Sequence, residues 1–200
     1  MDKLIYTAFN TVNNVYDNRA VRAQNLANIA VPGYKRDLGA KAVGTAFLNT
    51  METLQSRAMA VQDDNNYFSA ELGTVNQTGI DTDIAIRGEG YFVVQGLGDP
   101  SLSRRGDLRV SGEGFLENGA SQNVLNANLQ PINVPEYRFL TVSDDGIVTI
   151  EPLGSNPGTK QVIGRIALTQ ASKGELKKYP DGEIRLQDGT VPPLDDEVRV

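Results

Sequence analysis

Apolar and polar positions in the first 36 residues recur with the period of an α-helix. Placed at 100° steps, the apolar residues share one broad arc of the helix. This arc contains Leu4, Ile5, Ala8, Phe9, Val12, Val15, Tyr16, Ala20, Ala23, Leu26, Ala27 and Ala30. The other arc is polar and rich in amides, with Val21 as its clear exception. The pattern persists for about 28 residues, or roughly 42 Å, and predicts a long amphipathic helix.

The end of this helix has its own signals. Asn28 can adopt a left-handed C-terminal cap, and Pro32 cannot continue a helix. The apolar arc is longer than one small core can cover, so we expect part of it to contact another helix or another subunit. From periodicity alone, packing on the chain's own domain is an equally good interpretation.

Beyond Ile80 the pattern changes to short β-branched and aromatic runs separated by turns, which is typical of antiparallel hairpins. The predicted hairpins are Asp83–Gln95, Leu102–Leu116, Tyr137–Ile150 and Leu176–Leu186, and the further short strands are Val124–Leu125, Ile132–Val134 and Val162–Leu168. No helical crossover separates these strands. The predicted fold class is therefore α+β, mainly β, with a long N-terminal amphipathic helix followed by an antiparallel, hairpin-rich β-domain.

These patterns divide the chain into four segments. We predict an assembly helix and exit turn at 1–36, a connecting region at 37–79, the β-domain at 80–190 and a tail at 191–200. Within the connecting region, Thr45–Val61 fits either a helix or an extended run.

Composition excludes several kinds of chemistry. The 200 residues include no cysteine and no histidine, which removes disulfides, thiolate nucleophiles, and the commonest general base and transition-metal ligand. The first 36 residues carry a net charge of +3, which leaves −9 on the remainder. An acidic body argues against nucleic-acid binding. No apolar run has the roughly 20 residues of a membrane span, and the leader lacks the features of a cleaved secretory signal.

Three clusters of glycine or acidic residues are candidate sites, but turns explain their positions better. Gly88-x-Gly90 lacks the third glycine and the following helix of a nucleotide loop. Asp81 and Asp83 with Glu89 do not have calcium-loop spacing. The remaining acidic residues, Asp144, Asp145, Asp181, Asp195, Asp196 and Glu197, mostly lie in or beside turns that contain Gly or Pro. The sequence therefore predicts no enzyme, no catalytic residue, no cofactor and no metal.

Four blocks in order resemble the flagellar rod and hook protein family. Asn25-Leu26-Ala27-Asn28 followed by Pro32-Gly33-Tyr34 is similar to the family's N-terminal signature. Gly79–Val94, Arg105–Val110 with Gly114–Leu116, and Asp145-Gly146 with Leu176–Gly182 resemble its later blocks. The family-motif residues are Asn25, Asn28, Pro32, Gly33, Tyr34, Gly88, Gly90 and Phe92. The first eight residues are most similar to the proximal-rod members.

The resemblance implies a structural subunit of the bacterial flagellar basal body. Family members pair an N-terminal with a C-terminal helix in the inner tube of a helical assembly, and place the β-domain outside it. They are exported unfolded through the flagellar type III export apparatus, without a cleaved signal, and assemble in the periplasm. The implied partners are other rod subunits, the export apparatus, and a second copy or a C-terminal helix, with no nucleic acid and no membrane insertion.

Three departures from the family pattern bear on this interpretation. Val31 replaces the usual Thr before Pro32, and Leu102-Ser103-Arg104 replaces the usual aromatic and Thr before the third block. The tail after Pro192-Pro193-Leu194 is expected to lead into a helix that is absent here, as in a truncated chain.

We therefore predict a proximal-rod subunit that polymerises through one face of the N-terminal helix. The predicted assembly interface consists of Ile5, Ala8, Phe9, Val12, Val15, Tyr16, Ala23, Leu26 and Ala27. A distal-rod or hook subunit is the alternative within the class. A secreted carbohydrate-binding or carbohydrate-active β-domain is the alternative outside it.

Overall fold

The chain forms two compact units in a computed structural model. The model describes residues 2–38, 68–171, 175–179, 182–186, 188–195 and 197–200; within the helix, side chains are described for Phe9, Val12, Asn13 and all residues from Val15 onward. One unit comprises residues 1–30 and 35–70, and the other comprises 31–34 and 71–200. The predicted alternative for Thr45–Val61 lies outside the described residues.

The described secondary structure is one helix and ten short strands. Their bounds are α1 Asp2–Ala27, β1 Tyr91–Gln95, β2 Pro100–Ser103, β3 Leu108–Val110, β4 Leu116–Asn118, β5 Tyr137–Val142, β6 Ile147–Pro152, β7 Gln161–Arg165, β8 Leu168–Thr169, β9 Leu176–Lys178 and β10 Ile184–Leu186.

All strand pairs are antiparallel, and they form three sheets. The largest has the order β8-β1-β2-β10-β9, β3 and β4 form a hairpin, and β5-β6-β7 form a meander. β1 lies between β8 and β2, and its Phe92, Val93 and Val94 are almost completely buried. Phe92 and Val94 share one core with Leu116 and Ile150 from the other two sheets. Burial of such large apolar residues is the main stabilising contribution to this unit.

The structure corrects the predicted fold class in its helical part. The described fold is mainly antiparallel β-sheet, and helical side chains are described without interruption only over Val15–Ala27. The predicted long N-terminal amphipathic helix is therefore not supported.

The distribution of exposure along α1 gives the physical reason. In the described stretch, Tyr16 and Leu26 of the apolar arc are exposed, whereas Asn18, Val21 and Asn25 of the predicted polar arc are half-buried. Amide side chains can bond to nearby backbone groups, so Asn18 and Asn25 can be partly buried, while Asn13 and Gln24 of the same arc remain exposed.

The predicted Asp83–Gln95 hairpin is wrong. Its first arm does not pair with β1, because Asp83 bridges to Asp107 and Arg87 bridges to Arg199. β1 instead pairs with β2 and β8. The long run Leu102–Val110 is also interrupted, because β2 ends at Ser103 and β3 begins at Leu108.

The hairpins with short turns are confirmed. β5 and β6 join through Asp144-Asp145-Gly146, and Gly146 has a left-handed φ of 74°. β9 and β10 pair as predicted. Asn28 does not adopt the predicted left-handed cap; its backbone N–H and its side-chain Nδ2 instead donate to the Gln24 carbonyl oxygen at 3.1 and 2.9 Å.

Candidate assembly surface and exit turn

One side of α1 presents large apolar side chains to solvent. Phe9 is 61% exposed, Val15 62%, Tyr16 64% and Leu26 70%. Val12, Ala23 and Ala27 are exposed as well. These seven residues belong to the predicted assembly interface, while the side chains of its other two members, Ile5 and Ala8, lie outside the described residues. We call the seven exposed residues the α1 stripe.

The α1 stripe has the features of a contact surface. Large apolar residues repeat at helical spacing along one face, where the exposed Arg19 and Arg22 lie among them. A soluble protein rarely exposes such a patch without a partner.

Asn25 connects the helix to the returning chain. Its Nδ2 donates to the carbonyl oxygen of Asp37 at 2.8 Å, and its Oδ1 accepts from the N–H of Asp37 at 2.9 Å. Asp37 also forms an antiparallel bridge with Phe68, which is buried. The side chain of Asn25 thus bonds both the N–H and the carbonyl oxygen of Asp37, as the backbone of a neighbouring strand would. An apolar residue of the same size could not provide this donor and acceptor.

Gly33 provides the close approach in the exit turn. Its φ is 67°, which is a left-handed conformation that side chains disfavour. A Cβ atom at this position would overlap the carbonyl oxygen of Arg104. Glycine is therefore required both by the backbone conformation and by the lack of space.

Arg104 holds the next glycine turn in place. Its Nη1 and Nη2 both donate to the Gly88 carbonyl oxygen at 2.9 Å, and Nη2 also donates to the Ile86 carbonyl oxygen at 2.9 Å. The guanidinium lies 5.9 Å from the ring centre of Tyr91. Burial lowers the pKa of Arg104 and raises the pKa of Tyr91. The same residue thus contacts the exit turn through its backbone and the Gly88 turn through its side chain.

Tyr34 and Lys35 complete the exit turn. The Nζ of Lys178, at the end of β9, lies 5.0 Å from the ring centre of Tyr34, within cation–π range. Lys35 is 9% exposed, and its Nζ donates to the Ala70 carbonyl oxygen at 3.3 Å. Pro32 is exposed and directly precedes Gly33 in the exit turn.

The second motif block packs against Val198. Gly90 has a φ of 146°, and a Cβ atom there would lie 2.8 Å from Cγ1 of Val198. Val198 and Val200 are both buried, and the N–H of Val200 donates to the Asp144 carbonyl oxygen at 3.0 Å. Phe92, two residues after Gly90, is 1% exposed and belongs to the core.

A short ion pair stabilises the third block. Arg105 Nε and Nη2 donate to the two carboxylate oxygens of Asp107 at 2.7 and 2.9 Å. Burial alone would raise the pKa of Asp107, but the hydrogen bonds from Arg105, together with its charge, outweigh that effect, and the pKa lies below its ordinary value.

The motif residues therefore have a structural role in the described chain. Gly88 and Gly90 lead into strand β1 instead of a helix, so the geometry is not that of a nucleotide loop. Among the described residues, no three His, Cys, Asp or Glu side chains are placed to hold a metal ion. No helix in the described part of the chain has the length and hydrophobicity needed to cross a membrane.

Two functional positions, Arg104 and Lys35, are not predicted from the sequence. The signal at Arg104 is the departure from the family pattern at Leu102-Ser103-Arg104. The signal at Lys35 is its position directly after the exit turn.

Comparison with known proteins identifies the family. The chain is 30% identical over 190 residues to the flagellar basal-body rod protein FlgF of Salmonella typhimurium, covering 93% of this chain and 72% of that protein. The same identity and coverage hold for FlgF of Escherichia coli. The chain belongs to the FlgF family of flagellar basal-body rod proteins. Residues 85–150 also match the model of the flagellar hook protein FlgE/F/G D1 domain.

Family membership establishes the general function. The chain is a structural flagellar subunit of the rod and hook class, as the motif blocks predicted. Part of it is also 35% identical, over 106 residues, to the flagellar hook protein FlgE of Brucella abortus; the match covers 52% of this chain and 26% of that protein.

Proposed function

We propose that this FlgF-family chain is a proximal-rod subunit that polymerises through the α1 stripe. The observation that carries the proposal is the exposure of large apolar side chains along one side of α1, from Phe9 to Leu26. In an assembled rod these side chains would contact apolar side chains of neighbouring subunits. The partners are other rod subunits, with a second copy or a C-terminal helix as the direct contact of α1.

Burial of the α1 stripe would favour association. A large apolar side chain contributes about 1.5–3 kcal/mol when it passes from fully exposed to fully buried. Five such residues, Phe9, Val12, Val15, Tyr16 and Leu26, are at least half exposed in the described chain. Their burial would offset part of the entropy lost on association.

The remaining parts of the proposal concern location and chemistry. We infer that the chain passes through the flagellar export apparatus without a cleaved signal and acts in the periplasmic rod. Its role is structural and not enzymatic, because the glycines and acidic residues of the motif blocks serve turns, close approaches and ion pairs. Similarity to the hook protein FlgE favours a hook or distal-rod subunit as the second candidate.

The variant Val12→Asp tests the proposal. A carboxylate in the centre of the α1 stripe would have to be desolvated in the rod, so rod assembly and swimming should be lost. The matched control is Asn13→Asp, which places the same charge on the adjacent exposed position outside the stripe. The measurement is swimming in soft agar, together with recovery of the chain in isolated basal bodies.

Two outcomes would contradict the proposal. If the Val12→Asp chain supports normal swimming and enters basal bodies, the α1 stripe is not the polymerising surface. If Asn13→Asp causes the same loss, the effect belongs to added charge and not to the stripe. Circular dichroism of both purified variants confirms that the β-sheet is intact.

A further inference from the structure

Residues 72–79 form an exposed extended segment with unpaired peptide groups. Every residue from 72 to 79 is exposed, and none lies in a helix or strand. Within the described chain, no backbone N–H or C=O of this segment takes part in a hydrogen bond. Leu72 and Val75 are 55% and 70% exposed. The segment also contains no charged residue, which is unusual for a solvated loop in a chain that is 22% charged.

Strand β5 offers a complementary free edge. It has six residues, and within the described part of the chain it pairs only with β6. Both β5 and β7 have a register shift in their pairing with β6, but in β5 the register is continuous from Phe139 to Val142, whereas the shift divides the β7 pairing. Edge strand β8 is already bridged through Thr169 to Leu194. Edge strands with free peptide groups pair readily with another extended chain.

The register shows which peptide groups of β5 are free. The N–H of Ser143 donates to the Ile147 carbonyl oxygen at 3.0 Å, so Ser143 and Ile147 form a hydrogen-bonded residue pair. In an antiparallel ladder, every second residue of a strand forms such a pair with the partner strand. Thr141, opposite Thr149, is such a pair. The peptide groups of Leu140 and Val142 therefore point away from β6, toward the free edge.

The face of β5 beside this edge suits an uncharged segment. Phe139 and Thr141 are exposed on it, and Phe139 is 60% exposed. The nearby charges compensate each other, because Arg138 Nη1 donates to Glu151 Oε1 at 3.1 Å. Val75, placed opposite Thr141, would reach the ring of Phe139 on the same face diagonally while the peptide groups pair.

We propose that residues 72–79 of one subunit add as a strand to the free edge of β5 in a neighbouring copy. This contact is additional to the α1 stripe and rests on the proposed function, because it requires subunits that stand side by side. It is a heterologous contact between two different surfaces, which can propagate along a helical assembly. Peptide pairing would provide affinity, and the contact between Val75 and Phe139 would set the register.

The absence of cysteine from the 200-residue sequence allows a specific cross-linking test. Two differently tagged full chains, one with Val75→Cys and one with Thr141→Cys, are produced together in cells lacking the unmodified protein. Basal bodies are isolated and oxidised, and the products are separated without reducing agent. We expect a disulfide-linked dimer that carries both tags.

The control pair combines Val75→Cys with Leu97→Cys. Leu97 is 87% exposed but lies in the loop between β1 and β2, away from the β5 edge. The mixed dimer should form several-fold more with Thr141→Cys than with Leu97→Cys. Equal yields, or no mixed dimer with Thr141→Cys, would overturn the proposal.

Two further outcomes separate this proposal from the proposed function. A chain carrying both Val75→Cys and Thr141→Cys that gives only an internal disulfide shows that the segment covers its own β5, and this overturns the intersubunit contact alone. If both tagged chains enter basal bodies and support swimming without a mixed dimer, again only the β5 contact fails. If neither chain is found in basal bodies, the proposed function fails and the β5 contact fails with it.

Discussion

Single residues in the exit turn explain why the N-terminal motif has its composition. Asn25 replaces a strand neighbour by bonding both peptide groups of Asp37. Gly33 allows the backbone to approach the Arg104 carbonyl oxygen. Tyr34 receives the Lys178 ammonium on its ring. Each motif residue thus has a specific contact that a generic loop residue would not make.

Gly33→Ala should destabilise the β-rich unit. The new methyl group would overlap the Arg104 carbonyl oxygen and would also force a side chain into a left-handed φ. Strain of this kind costs about 1–3 kcal/mol. The control is Gly73→Ala, since nothing lies within 4 Å of a Cβ atom there. Urea unfolding should show the loss for Gly33→Ala only, and equal midpoints for the two variants would refute this account of the turn.

Asp107 should make stability depend on pH. Its pKa lies below the ordinary carboxyl value in the folded state, so its contribution to the free energy of unfolding is present above the ordinary pKa. That contribution is lost as the pH falls through the lower folded-state value. The urea midpoint should therefore drop in this acidic range, and the drop should be smaller in Asp107→Asn. The exposed control is Glu113→Gln. If the urea midpoint of Asp107→Asn depends on pH in the same way as that of the unmodified chain, this role for the ion pair is excluded.

At the scale of elements, the sequence correctly predicts the strand pairs that are joined by short turns. The β5–β6 hairpin follows from Asp144-Asp145-Gly146, because an Asp-Gly turn fixes its own geometry. The β9–β10 pair has the same local origin. The Asp83–Gln95 hairpin failed because the partners of its first arm, Asp107 and Arg199, are distant in sequence. No local pattern contains that information.

The helix shows a different limit of sequence analysis. Periodicity identified the apolar arc, but it could not show which side of α1 the rest of the chain covers. The structure places Val21 and Asn25 on the half-buried side and leaves Tyr16 and Leu26 exposed. The exception at Val21 was the one residue in the pattern that indicated this arrangement. Which arc of the helix is exposed can be determined only when the contacts within the chain are known.

At the scale of the whole molecule, the β-rich unit buries a set of apolar residues in one core, to which Val198 and Val200 contribute. Exposed large apolar residues occur on the α1 stripe, on residues 72–79 and beside the edge of β5, and singly elsewhere. The proposed function gives the first three groups a common explanation, because each would be covered by a neighbouring subunit.

Cysteine labelling at Val15 tests the central claim most directly. Val15 is 62% exposed in the isolated chain and lies in the α1 stripe. A Val15→Cys chain should react readily with a maleimide as a purified monomer and should be protected in isolated basal bodies. The same basal bodies, dissociated in denaturant, give the total label. Protection in the intact basal body is the result predicted by polymerisation through α1, and labelling as complete as in the monomer would contradict it.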